Sequence, residues 1–595
     1  MAETTRPIRV ANCSGFFGDR PSAAREMVQG GPIDVLTGDW LAELTMLILA
    51  RTRGRRAGGG YAGSFVTQME EVMGTCLDRG IKVVSNAGGL DPAGCAEAVA
   101  QIAARLGLSP TIAHITGDDL MDRLPELHGS GALQPFESDT PLGEPGGYLT
   151  ANAYLGCWGI AEALGAGADI VITGRVTDAA LACGPAAWHH GWKHDDYDKL
   201  AGAVVAGHVI ECSAQATGGN YSFLAEELAD RGPLPVRFGF PWADIAWDGT
   251  SIIGKHDGTG GVVSVGTVTS QLLYEIGGPR YVGPDVTTRF DTIALEQIAS
   301  DRVRISGVTG EPPPDRLKVA MNEVGGYRNS FTVALTGLDI PAKLELVQRT
   351  FWDANPYGPD HFEEISSVVA RTDRPDADTQ DEATATWRLT VKSREEAKIG
   401  RVFSDAIVHT ALSSIAGMYL LGDGPTGAKP FGVYRPASVP ADLVPQQVHI
   451  GAGPPLVVNS PVPTPSASSV AVSDPPKPDP GGSSQPTVEA PLGAVVGARS
   501  GDKGANANLG VFVREAAQFG WLDEFLTVDR LKDLLPEVRP LTVHRYRLPN
   551  LNAVNFVIEA LLEEGVAACS RQDRQAKALG EWLRSRVVPI PASLL

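Results

Sequence analysis

Through the first 180 positions, short apolar runs rich in β-branched residues alternate with longer stretches of helical period. Residues 8–12 (IRVAN), 33–36 (IDVL), 81–84 (IKVV), 111–115 (TIAHI) and 169–172 (DIVI) read as strands. Segments near 22–29, 40–51, 64–79, 92–107 and 153–165 read as helices. Strands that alternate with helices need crossover connections, so the pattern predicts an α/β fold with an open, mostly parallel sheet and helices on both faces. From about 250 to 450 the pattern is mixed. Strand-like runs are expected at 261–269 and 330–335 and helical ones at 343–352 and 404–420, while the acidic stretch 373–382 reads as a solvated loop. Beyond 488, strand patterns at 494–498, 509–513, 541–546 and 553–561, with helices at 528–535 and 574–587, fit a small ferredoxin-like α+β domain.

Between these parts, residues 461–486 (PVPTPSASSVAVSDPPKPDPGGSSQP) hold eight prolines, six serines and no aromatic residue, too little apolar surface to offset the entropy of ordering. The expected organisation is therefore an α/β region over 1–450, divided near 250 into two subdomains, a linker over 451–487 and a C-terminal domain over 488–595. At 595 residues with 43% apolar positions, the chain has length for two or three domains without metal or disulfide staples.

The net charge of −20 argues against broad attachment to nucleic acid or anionic lipid and favours a small-molecule partner. The start, MAETTRPIRVANCSG, lacks an apolar core of signal-peptide length, and no apolar run spans a bilayer, so a cytoplasmic location is expected. Seven dispersed cysteines without a C-x-x-C pair look like unpaired thiols, and no metal site is expected from them. His189, His190 and His194 could attract a metal, but their tryptophan- and carboxylate-rich surroundings read as a surface or inter-subunit loop.

Candidate chemistry clusters after the strands: Cys13-Ser14-Gly15, Thr37-Gly38-Asp39, Ser85-Asn86-Ala87-Gly88-Gly89, Thr116-Gly117-Asp118 and Thr173-Gly174-Arg175. In open α/β sheets the ligand crevice lies beyond the carboxyl ends of the strands, although such loops also need glycine for turns and Ser, Thr or Asp for caps. Ser85, Asn86, Gly88 and Gly89 are thus candidate substrate contacts. In Gly174-Arg175-Val176-Thr177-Asp178, Arg175 could grip a phosphate or carboxylate and Asp178 act as acid or base; a cap with a local ion pair is the plainer reading.

Glu211-Cys212 precedes Gly218-Gly219-Asn220. Glu211 could move a proton, the two glycine amides could face an oxyanion, and Cys212 is a weaker candidate nucleophile because no histidine is assigned to it. The run from Lys255 to Gly261, with Asp257 and Gly260, resembles a glycine-rich anion loop but lacks the P-loop spacing. No G-x-G-x-x-G follows the first strand, which disfavours a nicotinamide enzyme. In the C-terminal domain, Asp502 and Lys503 sit in a polar loop that could hold an anion, with Asn506 and Asn508 on one face of the next strand; a plain hairpin is the alternative.

Together the segments GRVTDAALACGP (174–185), ECSAQATGGNYS (211–222), 257–286, ARSGDKGANANLGVF (498–512) and RYRLPNLNAVNFV (545–557) resemble the acyclic terpene utilisation protein AtuA family, including its fused ferredoxin-fold domain. The resemblance implies a role in breakdown of acyclic terpenoids or branched acids carried as coenzyme A thioesters. It supplies no catalytic roster. With the residues above it gives the expectation of a lyase on an acyl-CoA substrate, by hydration/dehydration or carbon–carbon cleavage. Coenzyme A enters only as part of the substrate, no separate cofactor is expected, and the assembly is expected to be a homo-oligomer. The alternative is a non-catalytic acyl-CoA-binding or scaffolding partner of a carboxylase or other pathway enzyme.

Overall fold

A computed structural model describes residues 6–53, 59–136, 140–229, 237–411, 415–422, 426–451, 453–461 and 486–595. The chain forms two compact units. One comprises residues 1–321, 434–566 and 573–595, and the other 322–433 and 567–572. The division falls at Asn322 rather than near 250, and the C-terminal domain belongs to the same compact unit as the N-terminal sheet. Of the expected linker, residues 462–485 lie outside the described residues, while Leu456–Val458 is a strand.

In the larger unit, five parallel strands, β1 (Ile8–Asn12), β2 (Val35–Gly38), β3 (Lys82–Ser85), β4 (Ile112–Thr116) and β5 (Ile170–Thr173), lie in the order β1-β2-β3-β5-β4. Their apolar runs are nearly unbroken because both faces are buried. Val10, Val35, Val84, Ala113, Ile115 and Val171 enter one core, while Ala11, Leu36, Val83, Ile170 and Ile172 enter the other, as the two-residue period of a strand requires. Antiparallel strands extend both edges. β6 (Pro241–Ile245), β7 (Ser251–Lys255), β8 (Ala294–Ala299) and β9 (Arg302–Ser306) continue outward from β1 in the order β6-β7-β9-β8, and β10 (Gln446–Ile450) and β11 (Leu456–Val458) continue from β4. The eleven-stranded sheet is therefore parallel at its centre and antiparallel at its margins.

Helices α1 (Ala23–Gly30), α3 (Gly63–Arg79) and α4 (Pro92–Leu106) cover one face, with α2 (Glu43–Thr52) preceding α3. Helices α5 (Trp158–Gly165), α6 (Ala180–His190) and α7 (Tyr197–Ile210) cover the other. Right-handed crossovers explain this: from β1 to β4 the chain advances across the sheet, and from β4 to β5 it turns back, so the connecting helix changes face. The connections that follow neighbours β3 and β5 consequently leave toward opposite faces, which makes the edge at Ser85 and Thr173 the switch point of the sheet.

Two sequence expectations fail for physical reasons. Residues 261–269 alternate like a strand, yet Val265–Leu272 is a helix, α8, because Ser264 caps it by accepting from Thr267 N at 3.2 Å while Thr267 Oγ1 accepts from Ser264 N at 2.9 Å. Of 404–420, only the first part is helical, within Arg401–Val408, and Met418–Leu420 is a strand added to Arg316–Thr336.

The C-terminal domain is an antiparallel sheet of β12 (Val496–Lys503), β13 (Asn506–Val513), β14 (Val543–Leu548) and β15 (Ala553–Ile558), ordered β12-β13-β15-β14, with helices α9 (Ala516–Phe525), α10 (Val528–Leu534) and α11 (Leu579–Arg584). The expected helix over 574–587 shrinks to α11, because Val587–Pro591 pairs as a strand with Thr487–Pro491. The smaller unit packs its own core around Phe331, Phe351, Trp387 and Phe403.

Candidate functional site

The loops at the carboxyl edge of the parallel strands hold one another through buried polar contacts. Asn86, just past β3, accepts from Trp40 N at 2.8 Å and donates to Asp39 Oδ1 at 2.5 Å. Asp118, past β4, accepts from Arg175 N and from Asn152 Nδ2, both at 2.9 Å, and so fixes the turn after β5; burial raises its pKa to about 6. Asn12, ending β1, donates to the carbonyls of Ile210 and Glu211 at 2.7 and 2.8 Å and ties the end of α7 to the carboxyl edge of the sheet.

On this frame stand Arg175, Asp178 and Glu211. Arg175 is 3% exposed; its Nη1 donates to Asp178 Oδ1 at 2.6 Å and to Val176 O at 2.9 Å, and its guanidinium lies 4.2 Å from the centre of the Tyr154 ring. Burial opposes its charge, but Asp178, Tyr154 and Asp39 outweigh that penalty and hold it protonated. Glu211 is also buried, with Oε1 3.4 Å from His208 Nδ1. Burial and then the charges of Asp178 and Glu275 push the Glu211 carboxyl well above its ordinary range, with Arg175 and Lys503 in partial opposition. Burial and Asp178 likewise raise Asp39, and burial lowers His208 to about 4. Burial thus disfavours charge on Glu211, Asp39 and His208, while the acids around Arg175 favour its charge. Neither Glu211 Oε2 nor Arg175 Nε has a hydrogen-bond partner among the described residues.

The C-terminal domain completes the cluster. Asn508 Oδ1 accepts from Glu275 N at 2.8 Å, and Asn555 Nδ2 donates to Gly277 O at 2.5 Å. A Cβ on Gly501 would lie 2.4 Å from the Tyr274 ring, and one on Gly510 2.4 Å from Leu273 Cβ, so the missing side chains let β12 and β13 close on this segment. Lys503, the last residue of β12, donates to Glu275 O at 3.5 Å and contributes positive charge to Glu211 and His208. The polar loop expected around Asp502 and Lys503 is mostly strand, and the turn itself is Gly504-Ala505.

Arg175, Asp178, Glu211, Cys212 and Lys503 thus share one electrostatic neighbourhood although they are distant in sequence. Burial, with Glu211 and Glu275 nearby, raises the Cys212 thiol well above its usual value, which disfavours the thiolate a nucleophile needs. The amides of Gly218 and Gly219 do not face an oxyanion: they donate to Gln215 O at 3.2 Å and Ala214 O at 3.0 Å, closing a short 3-10 turn. Asn220 lines a separate cavity. Ser85 Oγ donates to Gly38 O, Gly88 packs on Thr173 O and Gly89 on Leu49. Asp257 stands in solvent with Arg302, and Gly260 accepts from Gly239 N in the same peripheral loop. Asn506 accepts from Ala560 N, Asp502 faces Lys577 at 3.4 Å, and the three histidines take separate partners: Arg6 O, Ile245 O and the Trp158 ring.

Residue-level reading missed His208, Tyr274, Glu275, Tyr281 and Lys577, and gave Asp39 no role of its own. Asp39 carried a signal in its strand-end loop; Glu275 and Lys577 carried none, since only the docked C-terminal domain gives them neighbours.

A doubly wound α/β domain with a buried acid–base cluster closed over by a small α+β domain defines the class of protein. The chain belongs to the acyclic terpene utilisation family protein AtuA, whose family model matches residues 8–450, and the AtuA ferredoxin-like domain matches residues 490–589. No curated protein sequence matches the chain. Among the described residues no helix is long and apolar enough to cross a membrane.

Proposed function

We propose that this protein is an enzyme of acyclic terpenoid or branched-acid catabolism that acts on an acyl-CoA thioester, by hydration/dehydration or carbon–carbon lyase chemistry. The observation that carries the reading is the buried Glu211 carboxyl, its pKa raised and its Oε2 without a partner among the described residues, in the electrostatic neighbourhood of the Arg175–Asp178 pair and Lys503. Two carboxyl groups whose environments differ divide acid and base work between them. Asp178 takes a proton from the substrate, and Glu211 gives one to the departing oxygen or to the carbon released by cleavage. Arg175 Nε and Lys503 hold the thioester oxygen as it gains enolate charge, the part first assigned to the Gly218 and Gly219 amides.

The test is to incubate the purified protein with 3-hydroxyacyl, enoyl and 3-hydroxyglutaryl thioesters. Turnover of one class is expected, with a loss of at least about a hundredfold in Asp178→Asn and in Glu211→Gln. Wild-type rates in both variants would remove the assigned roles, and no turnover of any thioester would remove the reaction class.

A further inference from the structure

Apart from the acid cluster, a cavity of about 310 Å³ opens where residues 220–222 meet the C-terminal domain; Asn220, Ser222, Arg499, Ser500, Lys577 and Glu581 are among the residues that line it. Its charge is lopsided. Arg499, a buried residue, lies with its guanidinium 3.9 Å from the centre of the Tyr274 ring, and Lys577 Nζ lies 4.5 Å from the same ring, so one aromatic residue braces two cations at the wall. The one acid among these six residues is already occupied: Glu581 accepts from Arg584 Nη1 at 2.8 and 2.7 Å and from Ser222 Oγ at 3.0 Å. Arg499 also donates to Gln215 Oε1, and Lys577 donates to Tyr274 Oη. Lys577 faces Glu275 Oε1 and Asp502 Oδ1, each at 3.4 Å, distances that leave its ammonium shared rather than captured.

Glu275 links the cavity to the acid cluster. Lys577 meets Glu275 from the cavity side, and Lys503 reaches the backbone oxygen of that same Glu275 while acting on Glu211. We infer that this cavity is a phosphate-binding subsite, in which Arg499 and Lys577 anchor the phosphoryl groups of the same carrier thioester whose acyl end reaches Glu211. The ligand class is a phosphate-bearing nucleotide carrier, because two adjacent cations with hydroxyl and amide donors match the several acceptor oxygens of a phosphate ester. The link between the two ends rests on the reading of the Glu211 cluster as the reacting centre.

Isothermal titration with inorganic pyrophosphate and with free coenzyme A tests the subsite without requiring any reaction. Both bind the wild-type protein. Lys577→Met and Asn220→Asp, the second of which adds a negative charge with almost no change of shape, each weaken both ligands by about tenfold or more. Lys577→Arg restores binding, and Glu211→Gln leaves pyrophosphate binding unchanged. Circular dichroism and melting temperature confirm that each variant is folded. Failure of wild type to bind either probe, or wild-type affinity in both Lys577→Met and Asn220→Asp, overturns the inference. Thioester turnover with binding indifferent to the cavity variants removes the subsite alone. Probe binding that follows the cavity variants with no thioester turned over keeps the subsite and removes the proposed reaction.

Discussion

Glu211 shows how a side chain acquires chemistry from its surroundings. In water its carboxyl would be ionised at neutral pH; under the end of α7, away from solvent and near Asp178 and Glu275, the charged form is disfavoured. The linkage has a definite sign. Because the folded pKa lies above the unfolded value, near 4.3, the folded state binds the extra proton between those two pH values. The Glu211 contribution to stability is fully present below about pH 4 and is lost as pH rises through the folded pKa. Glu211→Gln, with no proton to lose, is expected to match wild type near pH 4 and to melt at a higher temperature than wild type at pH 8 to 9, as scanning calorimetry across that range would reveal. A wild-type melting temperature that gains on the variant with rising pH contradicts the assigned environment. His208 works in the opposite sense: burial depresses it to about 4, so its contribution is present above its unfolded value, near 6.5, and is lost as pH falls toward 4.

At the scale of elements, docking of the C-terminal sheet depends on what β12 and β13 lack. Gly501→Ala and Gly510→Ala would each set a methyl group 2.4 Å from Tyr274 or Leu273. Each is expected to cost about 1–3 kcal/mol in urea unfolding and to speed proteolysis between the two domains. Equal protection in both variants would show that this contact does not hold the domains together. Helix α8 offers a second test. Ser264→Ala removes the acceptor for Thr267 N and is expected to cost about 1 kcal/mol in the same measurement. These two elements also mark how far the sequence could be read. The five central strands were legible because their period and length left one interpretation, whereas the GVVSVGTVT segment satisfies strand alternation and the helix of α8 equally well on paper. A single capping hydroxyl decided between them, and a cap is a weak signal beside six apolar or β-branched neighbours. Of the site, Arg175, Asp178, Glu211 and Lys503 were legible from their glycine-rich loops. Glu275 and Lys577 were not, because neither sits in a motif with chemistry of its own and each gains meaning from the other, 302 positions away.

For the whole molecule, the C-terminal domain belongs to the same compact unit as the N-terminal sheet. Removing residues 488–595 takes away Lys503 and uncovers Leu273, Leu272 and Phe290, all buried in the intact chain. The truncated protein is expected to bind a hydrophobic dye, to melt several degrees lower and to have lost thioester turnover. If the protein instead kept full turnover after truncation, the role given to Lys503 would be wrong and a separate docking function for the C-terminal domain would gain ground.

Periodicity and loop composition by themselves determined the α/β class and the ferredoxin-like C-terminal domain, since these follow from local residue order, and the family came from the resemblance of segments such as GRVTDAALACGP and ARSGDKGANANLGVF. Sequence order also marked the glycine-rich edges where a ligand could sit. Only the tertiary structure decided which of those edges share one electrostatic cluster, that the Gly218 and Gly219 amides are spent on their own turn, and that the Glu211 carboxyl is raised above its ordinary range. Each of these depends on burial and on charges brought together across hundreds of residues, and both the dielectric surroundings and the neighbours exist only once the chain has folded.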